Sequence, residues 1–176
     1  KLSEESVEVD FIDAFCMYLK QIQDYCEKRD VPFIYCINPS KTTVYNEFLP
    51  KGYKYTNEFL KELYNDLEKY DVNYISNVEL LTEKAESEQV YNIKYDAGHW
   101  NDLGQFYGTN HLLSKVSEYY PEVRPHDFEE FDISTRVETS LPVSEFKINE
   151  SVPSFVLKNQ DDVKDITNKY NWVEID

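Results

Sequence analysis

The feature that most constrains the fold of this chain is a run of five apolar residues, FIYCI, at positions 33–37. The run does not alternate between apolar and polar residues, which is typical of a strand buried on both faces. It follows a segment, residues 8–28, whose apolar residues recur at helical spacing, and it ends at the turn sequence Asn38-Pro39-Ser40. An amphipathic helix followed by a buried strand predicts an α/β sandwich.

Elements of the same two kinds continue through the first 120 residues. Periodicity and turn residues predict a helical turn at 44–49, helices at 56–70, 79–86 and 102–120, and strands at 71–75 and 90–94. Thr56 and Asn101 stand where N-caps are expected, at the start of two of these helices. The implied sheet is small and mainly parallel, and it has fewer strands than a complete doubly wound domain.

The sequence changes character at Pro121. Residues 121–176 contain four of the seven prolines, and their helical periodicity is weak. Two short strands are expected there, at 145–148 and 154–157. We therefore predict an α/β core at residues 1–120 and a proline-rich extension at residues 121–176, which leads towards a further strand beyond the chain end.

Charge and cysteine content exclude several classes of function. The chain has 34 acidic and 18 basic residues, a net charge of −16, and no local cluster of lysine and arginine. Nucleic acids and anionic membrane surfaces need such a cluster, so neither is an expected partner. The three cysteines, Cys16, Cys26 and Cys36, lack CxxC spacing, and we expect them to be buried thiols rather than zinc ligands.

Histidine and glycine are scarce in this chain, and most of them cluster soon after residue 95. Asp96 precedes His99 by three residues, and three of the four glycines, Gly98, Gly104 and Gly108, lie in the same stretch. Across a tight turn, the carboxylate of Asp96 can accept the Nδ1–H of His99, which leaves Nε2 free as a general base. Gly98 is expected to give the turn its unusual backbone conformation, and Gly104 and Gly108 lie on one helical face that can approach a neighbour closely.

Other interpretations of these residues stay open. An Asp-x-x-His pair also occurs as a capping aspartate beside a buried histidine. A metal site would draw on Asp96, His99, Asp102 and His111, but their spacing matches no common ligand pattern, so we expect no metal and no cofactor.

The turn after the FIYCI strand contains two further candidates. Ser40 lies where a nucleophile could stand, although it lacks the glycines of a nucleophile elbow and also fits a simple turn. Lys41 could steer an anionic substrate group, but a solvated loop lysine is the simpler interpretation.

The block Asp96-x-x-His99-Trp100-Asn101, followed by Gly104, resembles the Asp/His block of SGNH-hydrolase-like acyltransferases. The similarity is to the alginate O-acetyltransferase branch, with its AlgX- and AlgJ-like proteins. A second segment, NPSKTTVYNEFLP at residues 38–50, resembles the Pro-x-Lys to Leu-Pro segment that precedes this block in the family. The resemblance covers about residues 30–120.

The resemblance implies a three-layer SGNH-type sandwich and O-acetylation of a cell-surface polysaccharide by a Ser-His-Asp mechanism. Asp96 and His99 would be catalytic, and the substrate would contact Asn38, Lys41, Trp100 and Asn101. It also implies an acyl donor delivered through a membrane-bound O-acyltransferase, and an extracytoplasmic, membrane-tethered protein.

The chain has no Gly-Asp-Ser block. In this branch the serine follows the Asp/His block, so the chain resembles a fragment whose nucleophile lies beyond residue 176, with Ser40 as the candidate inside it. Two alternatives stay open: an acetyl or carbohydrate esterase that uses the same residues, and a non-catalytic carbohydrate-binding or assembly module.

Overall fold

The structure, a computed structural model, describes residues 9–159. Five helices and four strands occur in this part of the chain, with two short 3-10 turns between them. In chain order they are α1 (Val9–Glu27), β1 (Tyr35–Ile37), α2 (Lys41–Val44), a 3-10 turn (Asn46–Phe48), α3 (Glu58–Lys69), β2 (Tyr74–Ser76), α4 (Val78–Ala85), α5 (Asp102–Val116), a second 3-10 turn (Phe128–Glu130), β3 (Phe131–Ser140) and β4 (Lys147–Leu157). The further strand expected after the chain end lies outside the described residues.

A small parallel sheet lies between two layers of helix. Strands β1 and β2 pair in parallel, with Cys36 opposite Ile75. One face of β1, with Ile37, packs into a core formed by α1 and α3, while Ile34, just before β1, lies beside Val116 of α5 on the other side. The predicted α/β class with a small parallel sheet is confirmed.

The FIYCI run is less buried than its composition suggests. Ile37 is buried, whereas Tyr35 and Cys36 are only partly covered. In the described part of the chain this sheet has two strands, so each strand has an open edge. The main core instead lies where the apolar stripes of α1 and α3 meet, and its buried members are Ile12, Cys16, Leu19, Ile37, Leu63, Leu67 and Val72.

Two local predictions in the first 120 residues are wrong. Residues 90–94 form no strand, and their one bridge pairs Tyr91 with Trp100. Helix α3 begins at Glu58, so the residue at its N-cap is Asn57 rather than Thr56, and the Asn57 side chain makes no capping bond.

The region after Pro121 contains a long hairpin that the sequence did not predict as such. The two expected short strands, 145–148 and 154–157, overlap the two ends of one strand, β4, which pairs antiparallel with β3. Pro153 lies inside β4 opposite Thr135, a position that a proline can take in a strand whose N–H side is not paired. An aromatic cluster packs the hairpin against α5. In this cluster the Phe106 ring contacts those of Phe128, Phe131 and Phe155 at centroid distances of 4.2, 5.7 and 5.7 Å.

Candidate active site

The carboxyl ends of β1 and β2 lie at the same edge of the sheet, and an asparagine follows each strand. Asn77 Nδ2 donates to Asn38 Oδ1 at 2.8 Å, and Asn77 Oδ1 lies 2.7 Å from Nδ1 of His111 on α5. Asn77 is 1% exposed, so this chain of bonds is buried at its centre. Since Asn77 Oδ1 can only accept, this arrangement assigns the proton to Nδ1 of His111. Asn77 was not predicted as a site residue, because an asparagine after a strand is also typical of a turn.

The loop over residues 90–95 packs against the residues that follow β1. Tyr91 donates its hydroxyl proton to the carbonyl of Pro39. The ammonium group of Lys41 donates to the carbonyl oxygens of Asn92 at 2.5 Å and Ile93 at 3.2 Å. The segment that leads into Asp96 therefore lies beside the carboxyl edge of the sheet, where open α/β sheets bind their ligands.

Asp96 and His99 form a hydrogen-bonded turn next to this loop. Asp96 Oδ1 lies 2.7 Å from His99 Nδ1, and the backbone N–H of His99 donates to the Asp96 carbonyl at 3.1 Å. The side chains are 46% and 77% exposed. The predicted hydrogen bond is thus present, and His99 is an exposed rather than a buried histidine. With Nδ1 occupied, Nε2 makes no hydrogen bond to any residue within 9–159 and remains available to a substrate or a nucleophile.

The unusual backbone conformation of this turn belongs to Asp96, not to Gly98. Asp96 has φ 43°, whereas the φ of Gly98 lies outside the left-handed region. Aspartate tolerates the left-handed region because its short side chain can hydrogen-bond locally, as it does here with His99. The expectation for Gly98 is therefore wrong.

Asn101 caps α5 as predicted. Its Oδ1 accepts the backbone N–H of Gly104 at 3.0 Å, and its Nδ2 donates to the carbonyl of Gln89 at 2.6 Å. Asn101 is 4% exposed, so both halves of its amide are used inside the protein. The structure thus places Asn101 as a support for the helix rather than at a surface that a substrate could reach.

Trp100 packs inward against α5. A Cβ added to Gly108 would lie 2.7 Å from the Trp100 ring, and one added to Gly104 would overlap the carbonyl oxygen of Val90. The predicted close approach of the two-glycine face is confirmed. Trp100 is also partly buried beside the core of Val44, Leu81, Val90 and Tyr91, so much of its indole serves packing.

Ser40 and Lys41 both have structural partners. Ser40 is the N-cap of α2, and its Oγ lies within 2.8–3.2 Å of the Thr42 hydroxyl, the Thr43 hydroxyl and the Thr43 N–H. Within residues 9–159, Ser40 makes no hydrogen bond to His99. Lys41 is partly buried, and its ammonium group binds the carbonyls of Asn92 and Ile93 in the 90–95 loop rather than extending freely into solvent. Burial lowers the pKa of its ammonium group, although the charge of Glu150 acts in the opposite direction.

Glu150 of β4 reaches into the same loop. Its carboxylate accepts the backbone N–H groups of Ile93 at 2.5 Å, Lys94 at 2.7 Å and Tyr95 at 2.7 Å, and the residue is 9% exposed. Burial opposes ionisation of this carboxyl, but the three N–H donors and the charge of Lys41 outweigh it, so the pKa lies below its usual range. No sequence pattern marked Glu150.

A second histidine–carboxylate pair lies elsewhere. His126 Nδ1 is 2.9 Å from Glu130, whose carboxylate also accepts from Arg124. The contacts with Arg124 and His126 lower the pKa of Glu130 to about 2.

Among residues 9–159, no three His, Cys, Asp or Glu side chains converge closely enough to hold a metal ion. In the same range, no helix combines the length and apolarity needed to cross a membrane.

No protein-family model and no curated protein matches the sequence. The fold, however, matches solved structures. Bacillus cereus PatB1 superimposes with a TM-score of 0.69 at 18% identity, over 87% of this chain and 54% of PatB1. PatB1 with a sulfonyl adduct gives 0.67 at 18% identity, over 87% and 52% of the two chains. The O-acetyltransferase domain of Pseudomonas putida AlgJ gives 0.64 at 13% identity, over 90% and 61%.

This chain therefore has the fold of PatB1 and of the AlgJ O-acetyltransferase domain. It spans about half the length of the PatB1 structures that it matches. The fold shared with the AlgJ O-acetyltransferase domain agrees with the resemblance seen in the Asp/His block.

Proposed function

We propose that this chain is the Asp/His-bearing part of an enzyme that transfers an acetyl group to a hydroxyl of a cell-surface polysaccharide. The observation that carries the proposal is the 2.7 Å contact between Asp96 Oδ1 and His99 Nδ1 in an exposed turn beside the carboxyl edge of the sheet. The fold shared with the AlgJ O-acetyltransferase domain supports the reaction class. The sequence similarity of the Asp/His block and of residues 38–50 supports the AlgX/AlgJ branch.

In the proposed reaction, His99 is the general base and Asp96 orients it. His99 Nε2 takes the proton of a serine hydroxyl as the serine oxygen attacks the carbonyl carbon of the acetyl donor. The donor's leaving group departs with that proton, and the serine keeps the acetyl group as an ester. His99 then takes the proton of a sugar hydroxyl, whose oxygen attacks this ester, and returns the proton to the serine as the acetylated sugar leaves.

Ser40 is a poor candidate for that serine, because it caps α2 and bonds to two threonines. We propose instead a serine that follows the Asp/His block along the chain, as in the family that it resembles. Asn38 is the remaining candidate for substrate contact. Its Oδ1 accepts from Asn77, so its exposed amide N–H groups are free to donate to a substrate oxygen at this edge.

The remaining parts of the proposal follow from the same resemblance. The acyl donor would be supplied by a membrane-bound O-acyltransferase, and the protein would be extracytoplasmic and tethered to the membrane. No cofactor is needed for this chemistry, since a serine, a histidine and an aspartate suffice.

An esterase is the second candidate function. His99 is 77% exposed, so water has access to the same base and could take the place of the sugar hydroxyl. The two activities differ in the acceptor alone, and a single assay can measure both.

The test uses the full-length protein with 4-nitrophenyl acetate as donor, with and without an oligosaccharide acceptor. We expect His99→Ala to lower the rate of acetyl release by about 10³-fold or more, since the nucleophile loses its base. Asp96→Asn should also cost heavily, because an amide favours the wrong imidazole tautomer. Acetylated oligosaccharide, detected by mass spectrometry, identifies a transferase, whereas free acetate alone identifies an esterase.

His126→Ala is the matched control, because His126 is also paired with a carboxylate but lies outside the proposed site. It should leave the rate unchanged. Equal losses in the two histidine variants, or no acetyl release by the wild type, would contradict the proposal and leave a non-catalytic glycan-binding module as the better interpretation.

A further inference from the structure

The 90–95 loop that leads into Asp96 is held by side chains rather than by regular secondary structure. Three successive N–H groups, those of Ile93, Lys94 and Tyr95, donate to a single carboxylate, that of Glu150. Three converging N–H groups satisfy a buried carboxylate well, and charge-assisted bonds of this kind are about twice as strong as neutral ones. This geometry fixes the direction in which the chain enters the turn.

The opposite side of the same loop is held by Lys41. Its ammonium group donates to the carbonyls of Asn92 and Ile93, while Glu150 accepts the N–H of Ile93. A cation and an anion therefore bind the C=O and N–H groups of the same two peptide units, 92–93 and 93–94, and attract each other as well. Lys41 follows β1, so its bonds to the Asn92 and Ile93 carbonyls hold the loop against the edge of the parallel sheet.

Glu150 is itself held on a rigid element. It lies in β4 within the ladder to β3, opposite Glu138. The hairpin is fixed to α5, because the N–H of Phe155 donates to the carboxylate of Asp102 at 3.1 Å and Phe155 packs on Phe106. Asp102 is the first residue of α5, three residues after His99. The hairpin thus contacts the chain on both sides of the Asp96–His99 turn.

We propose that Glu150 is a positioning residue that sets the Asp96–His99 pair in its productive geometry, an inference that rests on the proposed function. The carboxylate does not touch the reacting atoms. It fixes the backbone that precedes Asp96, and the Asp96 carboxylate in turn selects the Nδ1–H tautomer of His99. A misplacement of about 1 Å in such a pair costs about 10²-fold in rate, which gives Glu150 a measurable effect at a distance.

The first test needs no variant. In wild-type protein, hydrogen exchange of the Ile93, Lys94 and Tyr95 amides should be slowed by about 100-fold or more, although the loop has no secondary structure. The amides of Ala97 and Gly98, in the adjacent turn, should exchange at nearly unprotected rates. Rapid exchange at all five positions would show that the hydrogen bonds to Glu150 do not persist in solution and would overturn the proposal.

The second test compares Glu150→Gln with Glu150→Asp in the full-length protein. The ¹⁵N shifts of His99 report its tautomer and do not depend on any activity. We expect a single Nδ1–H tautomer in the wild type and a mixture in Glu150→Gln, with kcat lowered about 10- to 100-fold and KM little changed. Glu150→Asp keeps the charge on a shorter side chain. It should restore part of the Nδ1–H tautomer population of His99 and part of kcat.

Glu145→Gln is the control, because it removes the same charge from an exposed position in the turn of the same hairpin. It should match the wild type in both readouts. A wild-type tautomer and rate in Glu150→Gln would refute the positioning role while leaving His99 as the proposed base. Conversely, if His99→Ala kept full activity, the proposed function would fall, and the tautomer measurement would still decide whether Glu150 orients the pair.

Discussion

Gly108 and Trp100 are in contact across the junction between the Asp96–His99 turn and α5. The helix approaches so closely that a Cβ on Gly108 would stand 2.7 Å from the indole ring and 3.1 Å from Asn77 Nδ2. Trp100 follows His99 directly along the chain. The position of the turn over the sheet edge therefore depends on a helix face that carries no side chain at this point.

Gly108→Ala should destabilise the protein. Alanine favours the helix by about 1 kcal/mol, but overpacking against a fixed ring costs about 1–3 kcal/mol, and the second effect should exceed the first. Urea denaturation measures the difference. Gly98→Ala is the control: it meets no atom within 4 Å, so its free energy of unfolding should equal that of the wild type or rise slightly. A Gly108→Ala protein as stable as Gly98→Ala would show that Trp100 can move aside.

Asn101→Ala should cost about 1–2 kcal/mol of stability, because α5 loses its N-cap bond to Gly104 and the carbonyl of Gln89 loses a donor. Asn57→Ala provides a matched comparison. Asn57 also stands at a helix N-cap but makes no side-chain capping bond. Its replacement should change the free energy of unfolding by a few tenths of a kcal/mol. Similar losses in the two variants would contradict the capping geometry.

Asn77→Ala should lower stability by about 1–3 kcal/mol, since it removes the buried amide that bonds to both Asn38 and the His111 ring and leaves His111 Nδ1 without its acceptor. Thermal denaturation followed by circular dichroism is a suitable measurement. Asn149→Ala, at an exposed position on β4, should have a melting temperature close to that of the wild type. Equal melting temperatures for Asn77→Ala and Asn149→Ala would show that the network contributes little to stability.

Cysteine reactivity should follow burial. Cys16 is 0% exposed, and burial raises the pKa of its thiol to about 11, so little thiolate exists at pH 8. Burial also raises the pKa of Cys36. Cys26 is partly exposed at the end of α1 and should be alkylated first by iodoacetamide, followed by Cys36. Peptide mass spectrometry gives the order, and labelling of Cys16 before the protein unfolds would contradict the core packing.

The stabilisation by Glu150 should depend on pH. Its pKa is depressed in the folded protein, so its ionised form stabilises the fold above the usual value of 4.5, and this contribution disappears as the pH falls through the lower, folded-state pKa. Wild type should therefore exceed Glu150→Gln in stability at pH 6–7, and the gap should narrow steadily below pH 4.5. Urea denaturation from pH 2.5 to 7 tests this. A gap that is independent of pH would assign the effect to packing rather than to charge.

Features that depend on residues a few positions apart could be predicted from the sequence. Helix α1 follows from its apolar spacing, and the cap at Asn101 follows from its place before α5. The Asp96–His99 bond belongs to the same class, because a three-residue separation across a tight turn brings the two side chains within reach of each other. The sequence also predicted the two-glycine face of α5, although not the atoms that it would meet.

Contacts between distant segments could be found only in the folded protein. Glu150 is 57 residues from Ile93, and Lys41 is 51 residues from Asn92. No local sequence pattern could therefore predict the bonds that these side chains make to the 90–95 loop. The same loop reads as a strand from its apolar residues, but its N–H groups bond to a side chain instead of a neighbouring strand. Local spacing fixes which residues share a turn or a helix face, whereas the donors that surround the Glu150 carboxylate are set by how the hairpin packs on α5.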